Sequence, residues 1–380
     1  MTRTILDLGQ QPLVNNLCED ETSSLNAAQF PLEAIVEDDL TIHLSHAVDP
    51  SILYGNYLYH SATSAPYVEH CREMFKSFEH LRHDVIIDIG GNDGSLLKAF
   101  KQSSKNRMLL INVDASPTFK QKNEDAEIIF INDFWGDHLD LPKANIITST
   151  NVFQHTKDIH AFLRGIQKFL DGVWILEFPY AADTILTDQF DQFYHEHYYY
   201  WLLSPLEALF QQYGLRIIHL QRQSIHGGTM RLWMTNKEIG APTLDLSHWK
   251  QYEEAIVEKA SLGGNVKRLR ALLFWMAANK EEFGQIAFFG AAAKGCVFLN
   301  ALKANYKSMG PSFVVDDTES KQGLYMPGTG FPVVDRSHLP QCNTIIILAH
   351  NFADHIAESL RKDGFKGRIV AMLPLFREFD

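Results

Sequence analysis

Residues 191–201, DQFYHEHYYYW, place two histidines around a glutamate and follow them with four aromatics. Tyr194, His195, Glu196 and His197 are neighbours in the chain, so they cannot all share one face of a strand or helix, and some must point at different things. Three chemistries suit such a segment. A histidine works near neutral pH and a carboxylate beside it sets tautomer and basicity, which is the equipment for proton transfer. His-x-His is also a metal-ligand spacing, although zinc needs a third and fourth ligand. The third reading is an aromatic core strand with half-buried histidines. On this segment alone all three stay open.

A second kind of chemistry sits in a glycine-rich turn. In DVIIDIGGNDGSLLKAF an apolar strand runs into Gly90, Gly91 and Gly94 and then a helix. Glycine allows close backbone approach to a ligand, and the N–H groups of a helix N-terminus face the same place. Dinucleotide sites, S-adenosylmethionine (SAM) sites and plain tight turns share this much. Asp88, just before the turn, favours SAM, where an acid faces the methionine end. Asp114, ending the next strand LLINVDAS, suits ribose hydroxyls. Asn132, Asp133 and Phe134 in INDFW offer polar edges and an apolar face to an adenine. Asn92 lies within the turn, and Asn151 and His155 follow in STNVFQHTKDI.

The theme recurs in QIAFFGAAAKGCVFLNAL, followed by SFVVDDTES with an acid at Asp316. Strand, turn, helix, strand, acid is the opening βαβ unit of a doubly wound parallel sheet, so two such α/β domains are expected. We read residues 1–75 as a small N-terminal lobe of short strands and turns, 76–243 as a Rossmann-like, SAM-binding domain, 244–284 as a helical connector and 285–380 as a second Rossmann-like domain. A chain of 380 residues has room for each part to bury a core. Its 46% hydrophobic and 21% charged content is that of a globular protein. A net charge of −12 argues against nucleic acid as a partner, because phosphate neutralisation needs a basic surface. No apolar run approaches the length of a membrane helix and no signal pattern opens the chain, so a cytoplasmic protein without a membrane partner is expected. Cys18, Cys71, Cys296 and Cys342 show no C-x-x-C spacing and read as free thiols.

Taken in order, LDLGQQPLVNN, YLYHSATS, DIGGNDGSLL, NVFQHTKDI, FYHEHYYYW, IHGGTMRL, FFGAAAKG and DDTESKQGLYMPGTGFPV resemble the three-domain, SAM-dependent nucleotide-sugar C-methyltransferases of deoxysugar pathways. The resemblance covers nearly the whole chain. Such enzymes begin with a zinc-binding lobe built on two C-x-x-C pairs. Here the segment of the first pair is missing and the second is replaced by FPLEAIVEDDLTIHLS, so no structural zinc is expected.

The resemblance implies a catalytic set of Tyr194, Glu196 and His197, joined by Tyr59 from the lobe, with Tyr57 beside it. It implies SAM contacts from Asp88, Gly90, Asn92, Gly94, Asp114, Asn132, Asp133, Phe134 and Asn151. The substrate, a 4-keto-6-deoxyhexose on a nucleoside diphosphate, is expected near Tyr57, His155, His226, Gly227, Gly290, Lys294 and Lys321. In the implied reaction His197, oriented by Glu196, removes the C3 hydrogen that the C4 ketone acidifies. The enolate is steadied by Tyr194, the lobe tyrosine or His155. Its carbon then takes the sulfonium methyl, leaving S-adenosylhomocysteine. Rival readings are SAM-dependent O- or N-methylation of a small molecule, a nucleotide-sugar binding protein without turnover, and an NAD-dependent oxidoreductase.

Overall fold

The structure, a computed structural model, describes residues 2–53, 65–104, 106–223, 227–237, 244–310 and 312–380. Tyr57, Tyr59 and His226 lie outside the described residues. Among the described residues no helix is long and apolar enough to cross a membrane.

Three sheets carry the fold. In the first, β1 (Arg3–Pro12), β2 (Gln29–Val36) and β3 (Ile42–Leu44) pair antiparallel. Leu32, Ala34 and Val36 alternate inward along β2, the period-two pattern of a half-buried strand. The fourth strand comes from far along the chain: β9 (Tyr199–Tyr200), which closes the YHEHYYYW segment, pairs with β3 through Ile42↔Tyr200 and His43↔Tyr199. The lobe is thus stitched directly to the histidine-rich run.

The second sheet contains β4 (Val85–Ile89), β5 (Leu109–Val113), β6 (Ile129–Ile131), β7 (Ala144–Thr150), β8 (Leu170–Pro179), β10 (Arg216–Gln223) and β11 (Thr229–Thr235), in the order β10-β11-β8-β7-β4-β5-β6. All run parallel except β11. Helices cover the sheet, which explains why the openings of these strands, VII at 85–87 and LLI at 109–111, are apolar on both faces rather than alternating. One of these helices, Ile159–Phe169, is started by Asp158, whose side chain accepts the Ala161 N–H. It buries Ile159, Phe162, Leu163, Ile166 and Phe169, each contributing about 1.5–3 kcal/mol. Strand order reverses at β4, and ligands of such sheets bind outside the strands' carboxyl ends at that point.

The third sheet repeats the plan. It consists of β12 (Ile286–Phe289), β13 (Val314–Val315), β14 (Val333–Val334), β15 (Thr344–Ile347), β16 (Arg368–Ala371) and β17 (Arg377–Phe379), ordered β14-β13-β12-β15-β16-β17 with only β17 antiparallel. Its order reverses at β12.

The helices Ser247–Glu258 and Val266–Ala278 brace all three sheets. Arg3 donates to the Ala260 carbonyl, Arg270 to the Leu302 carbonyl, and the buried Glu253 accepts the Tyr180 hydroxyl and the Leu203 N–H. One apolar core runs from Ile5 through Ile87 to Phe288. The helix Ala65–Phe78 spans residue 75, where the lobe was expected to end. Its buried Cys71, Met74, Phe75 and Phe78 pack with Ile86, Leu97 and Phe100 of the second sheet, so we place that boundary ahead of the helix.

Candidate functional site

The first glycine turn leaves β4 after Ile89. Gly90, at φ +63°, donates its N–H to the Val113 carbonyl at 2.8 Å. A Cβ on Gly90 would lie 2.4 Å from a Val152 methyl, and one on Gly91 would lie 2.5 Å from Asp88 Oδ2. Asn92 and Gly94 also adopt positive φ, and the helix Ser95–Ser103 starts at Gly94. The Asp114 carboxylate clamps the turn: Oδ2 accepts the Asn92 N–H at 2.9 Å and Oδ1 the Ser116 N–H at 2.8 Å. Burial raises its pKa and those two bonds pull it back.

Asp88 is treated differently. Its Oδ1 accepts the Thr148 hydroxyl at 2.8 Å, whereas its buried Oδ2 has no partner among the described residues. Burial pushes its pKa up to about 7 against the pull of Thr148. Beneath it Asn112 accepts the Gly91 N–H at 3.0 Å and donates to Asn123 Oδ1 and the Asn92 carbonyl. Asn132 donates to the carbonyls of Asp114 and Ala115, and Asp133 accepts the Phe134 N–H. Phe134 is 63% exposed. The three residues expected beside adenine therefore stand open to solvent at the end of β6, next to Asp114.

A short loop after β7 leads from this turn to the histidines. Asn151, at φ +56°, donates its N–H to the Glu177 carbonyl, and its buried Oδ1 has no partner among the described residues. Glu177 is held by His70 and Arg231 in a buried network that keeps its pKa low despite burial. Val152 packs on Gly90, and His155 reaches His197, with ring centroids 4.6 Å apart at 81°. The His155 ring is hydrogen-bonded to the Glu196 carbonyl, and burial lowers its pKa to about 4.

His197 is buried, with the Tyr194 ring centroid 4.0 Å away on another side. Its ring is hydrogen-bonded to the backbone of Gln192. Burial first, then the nearby His155 and the charge of Lys294, hold its pKa well below the ordinary value. The expected orientation by Glu196 is not what the geometry shows. The Glu196 carboxylate instead accepts the side-chain N–H of Asn15, from the lobe, at 2.6 Å. The run turns at His195 and Glu196, with the His197 N–H returning to the Tyr194 carbonyl at 3.0 Å, so neighbouring side chains go to different partners, and the His195 ring is hydrogen-bonded to the Pro31 carbonyl, at 3.2 Å.

The third sheet meets this segment at its switch point. The turn Phe190–Gln192 carries Asp191, which is 2% exposed and 3.9 Å from His350, a residue just beyond β15. The Lys294 ammonium acts on Asp191, His350 and His197 together. Burial lifts Asp191 to about 6 and lowers Lys294 to about 8, each countered by the other's charge. Gly227, at φ +87°, is wedged there: a Cβ would meet Gln189 Oε1 at 2.5 Å and Asn351 Oδ1 at 2.7 Å. Gly290, at φ +103°, opens the second glycine turn against Ala349. Lys321 turns inward to the second glycine turn: its ammonium donates to the Ala291 carbonyl at 2.8 Å and lies 3.7 Å from Asp316.

The structure thus gathers His155, Tyr194, His197 and Lys294, with Asp88, Gly90, Asn92, Gly94, Asp114 and Asn151 in the adjoining turn. Sequence reasoning missed Asn15, Asn112, Thr148, Asp191 and His350. Asn112 and Thr148 had a signal, being polar residues inside strands expected to be apolar on both faces.

A family model described as a methyltransferase domain matches residues 67–220, and one described as a C-methyltransferase C-terminal domain matches residues 224–374. C-methyltransferase NovU of Streptomyces niveus is 25% identical over 403 residues, covering 97% of this chain and 92% of that protein. Among solved structures, the mitomycin 7-O-methyltransferase MmcR is 16% identical, with a TM-score of 0.39 over 46% of this chain and 56% of that one. Magnesium protoporphyrin IX methyltransferase (ChlM) from Synechocystis PCC 6803, with bound SAH, is 16% identical, with a TM-score of 0.38 over 45% of this chain and 83% of that one.

Proposed function

We propose that this chain, which matches a methyltransferase domain over residues 67–220 and a C-methyltransferase C-terminal domain over residues 224–374, takes its methyl group from SAM and methylates C3 of a nucleoside-diphosphate 4-keto-6-deoxyhexose. The first glycine turn fits the donor. Asp88 keeps a buried oxygen without a partner among the described residues, and Gly90 and Gly91 let Val152 and the Asp88 carboxylate close on the turn backbone, where a Cβ would lie 2.4 and 2.5 Å from them. Asp88 and the turn backbone would hold the methionine end and Asp114 the ribose, with Asn92, Gly94 and Asn151 shaping the turn. Asn132, Asp133 and Phe134 would border the adenine. When bound, SAM supplies the electrophilic methyl that the substrate carbon takes.

The observation carrying this reading is the state of His197. A buried imidazole with depressed basicity is neutral at pH 7, and the bond from its ring N–H to the Gln192 carbonyl leaves the other ring nitrogen with a lone pair. That nitrogen is the base for the C3 hydrogen, which the adjacent ketone makes acidic. The enolate oxygen needs donors, and the Tyr194 hydroxyl, His155 and Lys294 are the groups set around the ring. A lobe tyrosine, Tyr59 with Tyr57 as neighbour, is assigned to the same task, and His226 with Gly227 to the sugar. The diphosphate falls to the turn at Gly290, where Lys294 brings a cation to the helix Ala293–Ala301. Lys321 serves that turn from within. Holding both reactants in one cleft removes much of the entropic barrier.

The test is product analysis. With ¹³C-methyl SAM and an NDP-4-keto-6-deoxyhexose, the label is expected in a C-methyl signal coupled to the former C3. An O-methyl signal, or no label on the sugar, would refute the assignment.

A further inference from the structure

Glu196 is 4% exposed, and its Oε1 accepts one hydrogen bond, 2.6 Å long, from Asn15 Nδ2. Asn15 sits in the turn after β1, where the Asn16 N–H returns to the Leu13 carbonyl and Leu13 and Val14 are buried. This turn is firmly mounted on the histidine run. The Leu44 N–H donates to the Tyr198 carbonyl at 3.1 Å, the Tyr198 hydroxyl donates to the Val48 carbonyl at 2.8 Å, and β3 pairs with β9. The lobe therefore delivers a neutral amide to a buried carboxylate with little freedom for either to move.

Among the described residues, the titratable groups around Glu196 are Tyr194, His195 and His197 of its own segment and His155, whose ring is bonded to the Glu196 carbonyl. Lys294, from the third sheet, acts on His197. Two influences set the acidity of Glu196: burial, which raises it to about 7, and the Asn15 bond, which pulls it down. An amide donor favours the ionised carboxylate without neutralising it, as a lysine or arginine would, and so leaves the group poised near neutrality.

We propose that Asn15 is a positioning residue for catalysis: by donating to Glu196 Oε1 it keeps that carboxylate ionised in the active site, so that the N-terminal lobe sets the pH range in which the enzyme turns over. This rests on the catalytic place that the resemblance gives Glu196, kept here although its carboxylate does not orient His197. The lobe then has a catalytic duty independent of any metal.

The test compares Asn15→Leu, Asn15→Asp and Glu196→Gln in the full chain. Asn15→Leu removes the donor at similar volume, and the acid limb of its kcat profile is expected to move up by about one pH unit while the SAM Kd stays within twofold. Asn15→Asp sets a second carboxyl against the first, and its limb is expected to move further. The protonated-carboxyl band in difference infrared titration should move with the kinetic limb and be missing in Glu196→Gln. A uniform loss of turnover at every pH, with the infrared midpoint unmoved, would overturn the proposal and leave Asn15 a structural contact. Wild-type turnover by Glu196→Gln would instead overturn the reading of the site on which the proposal stands.

Discussion

The two glycine turns share one backbone plan and differ in what fills it. Gly90 donates its N–H to Val113, and Gly290 to Val315, both at 2.8 Å. Asp114 accepts N–H groups from Asn92 and Ser116, and Asp316 accepts them from Ala291 and Thr318. Across the three central strands, however, the second sheet sets Asp88 between Asn112 and Thr148, where the third sets Phe288 between Val314 and Ile346. The second turn is also braced internally by Lys321. The first keeps a buried carboxylate oxygen with no partner among the described residues. Buried polar atoms are nearly always paired, and in the proposed complex SAM would supply the donor that this oxygen lacks. In our reading the same fold makes a SAM cleft in one copy and, in the other, an internally braced turn that meets the diphosphate.

The largest expected effect comes from making the first turn like the second. Asp88→Leu should weaken SAM binding roughly 100-fold by calorimetry, the scale of a lost charged hydrogen bond; retained affinity would break the comparison. Gly91→Ala, whose Cβ would sit 2.5 Å from Asp88 Oδ2 and 2.6 Å from Asn112 Oδ1, should cost about tenfold in SAM affinity. In the second turn, Gly290→Ala, at the position matching Gly90, should leave SAM affinity alone and lower stability by about 1–3 kcal/mol, because φ is +103° there.

A pH dependence sharpens the same contrast. Asp88, lifted to about 7 by burial, is ionised only above that pH, and SAM is cationic. Affinity should therefore rise up to tenfold from pH 6 to pH 8 and become flat in Asp88→Asn. The smallest effect belongs to Lys321→Met. It should leave SAM affinity within twofold and reduce stability by about 1–2 kcal/mol, read as a drop in Tm.

Much of this comparison could be read from the chain before any coordinates. The strand, glycine turn, helix and acid recur in both halves because backbone sterics and helix N-termini demand those residue types locally. Tyr194, His197 and His155 stood out as candidates because their types suit proton transfer and their motifs carry the family resemblance. Asn15, Asp191 and His350 were not, because each meets the site only through packing between sheets 150 or more residues apart or across the sheet junction. The orientation of His197 was misread for the same cause. Adjacency in sequence suggested Glu196, but the ring is fixed by the backbone of Gln192, and the carboxylate turns to the lobe.

The claim that matters most is that His197 creates a carbon nucleophile, and proton exchange tests it without requiring methyl transfer. An NDP-4-keto-6-deoxyhexose incubated with the enzyme in deuterated water should gain deuterium at C3, read by NMR. His197→Asn should slow that exchange by about 10²–10⁴-fold with SAM affinity preserved. Exchange at the wild-type rate in His197→Asn, or no exchange by the wild-type enzyme, would contradict the account.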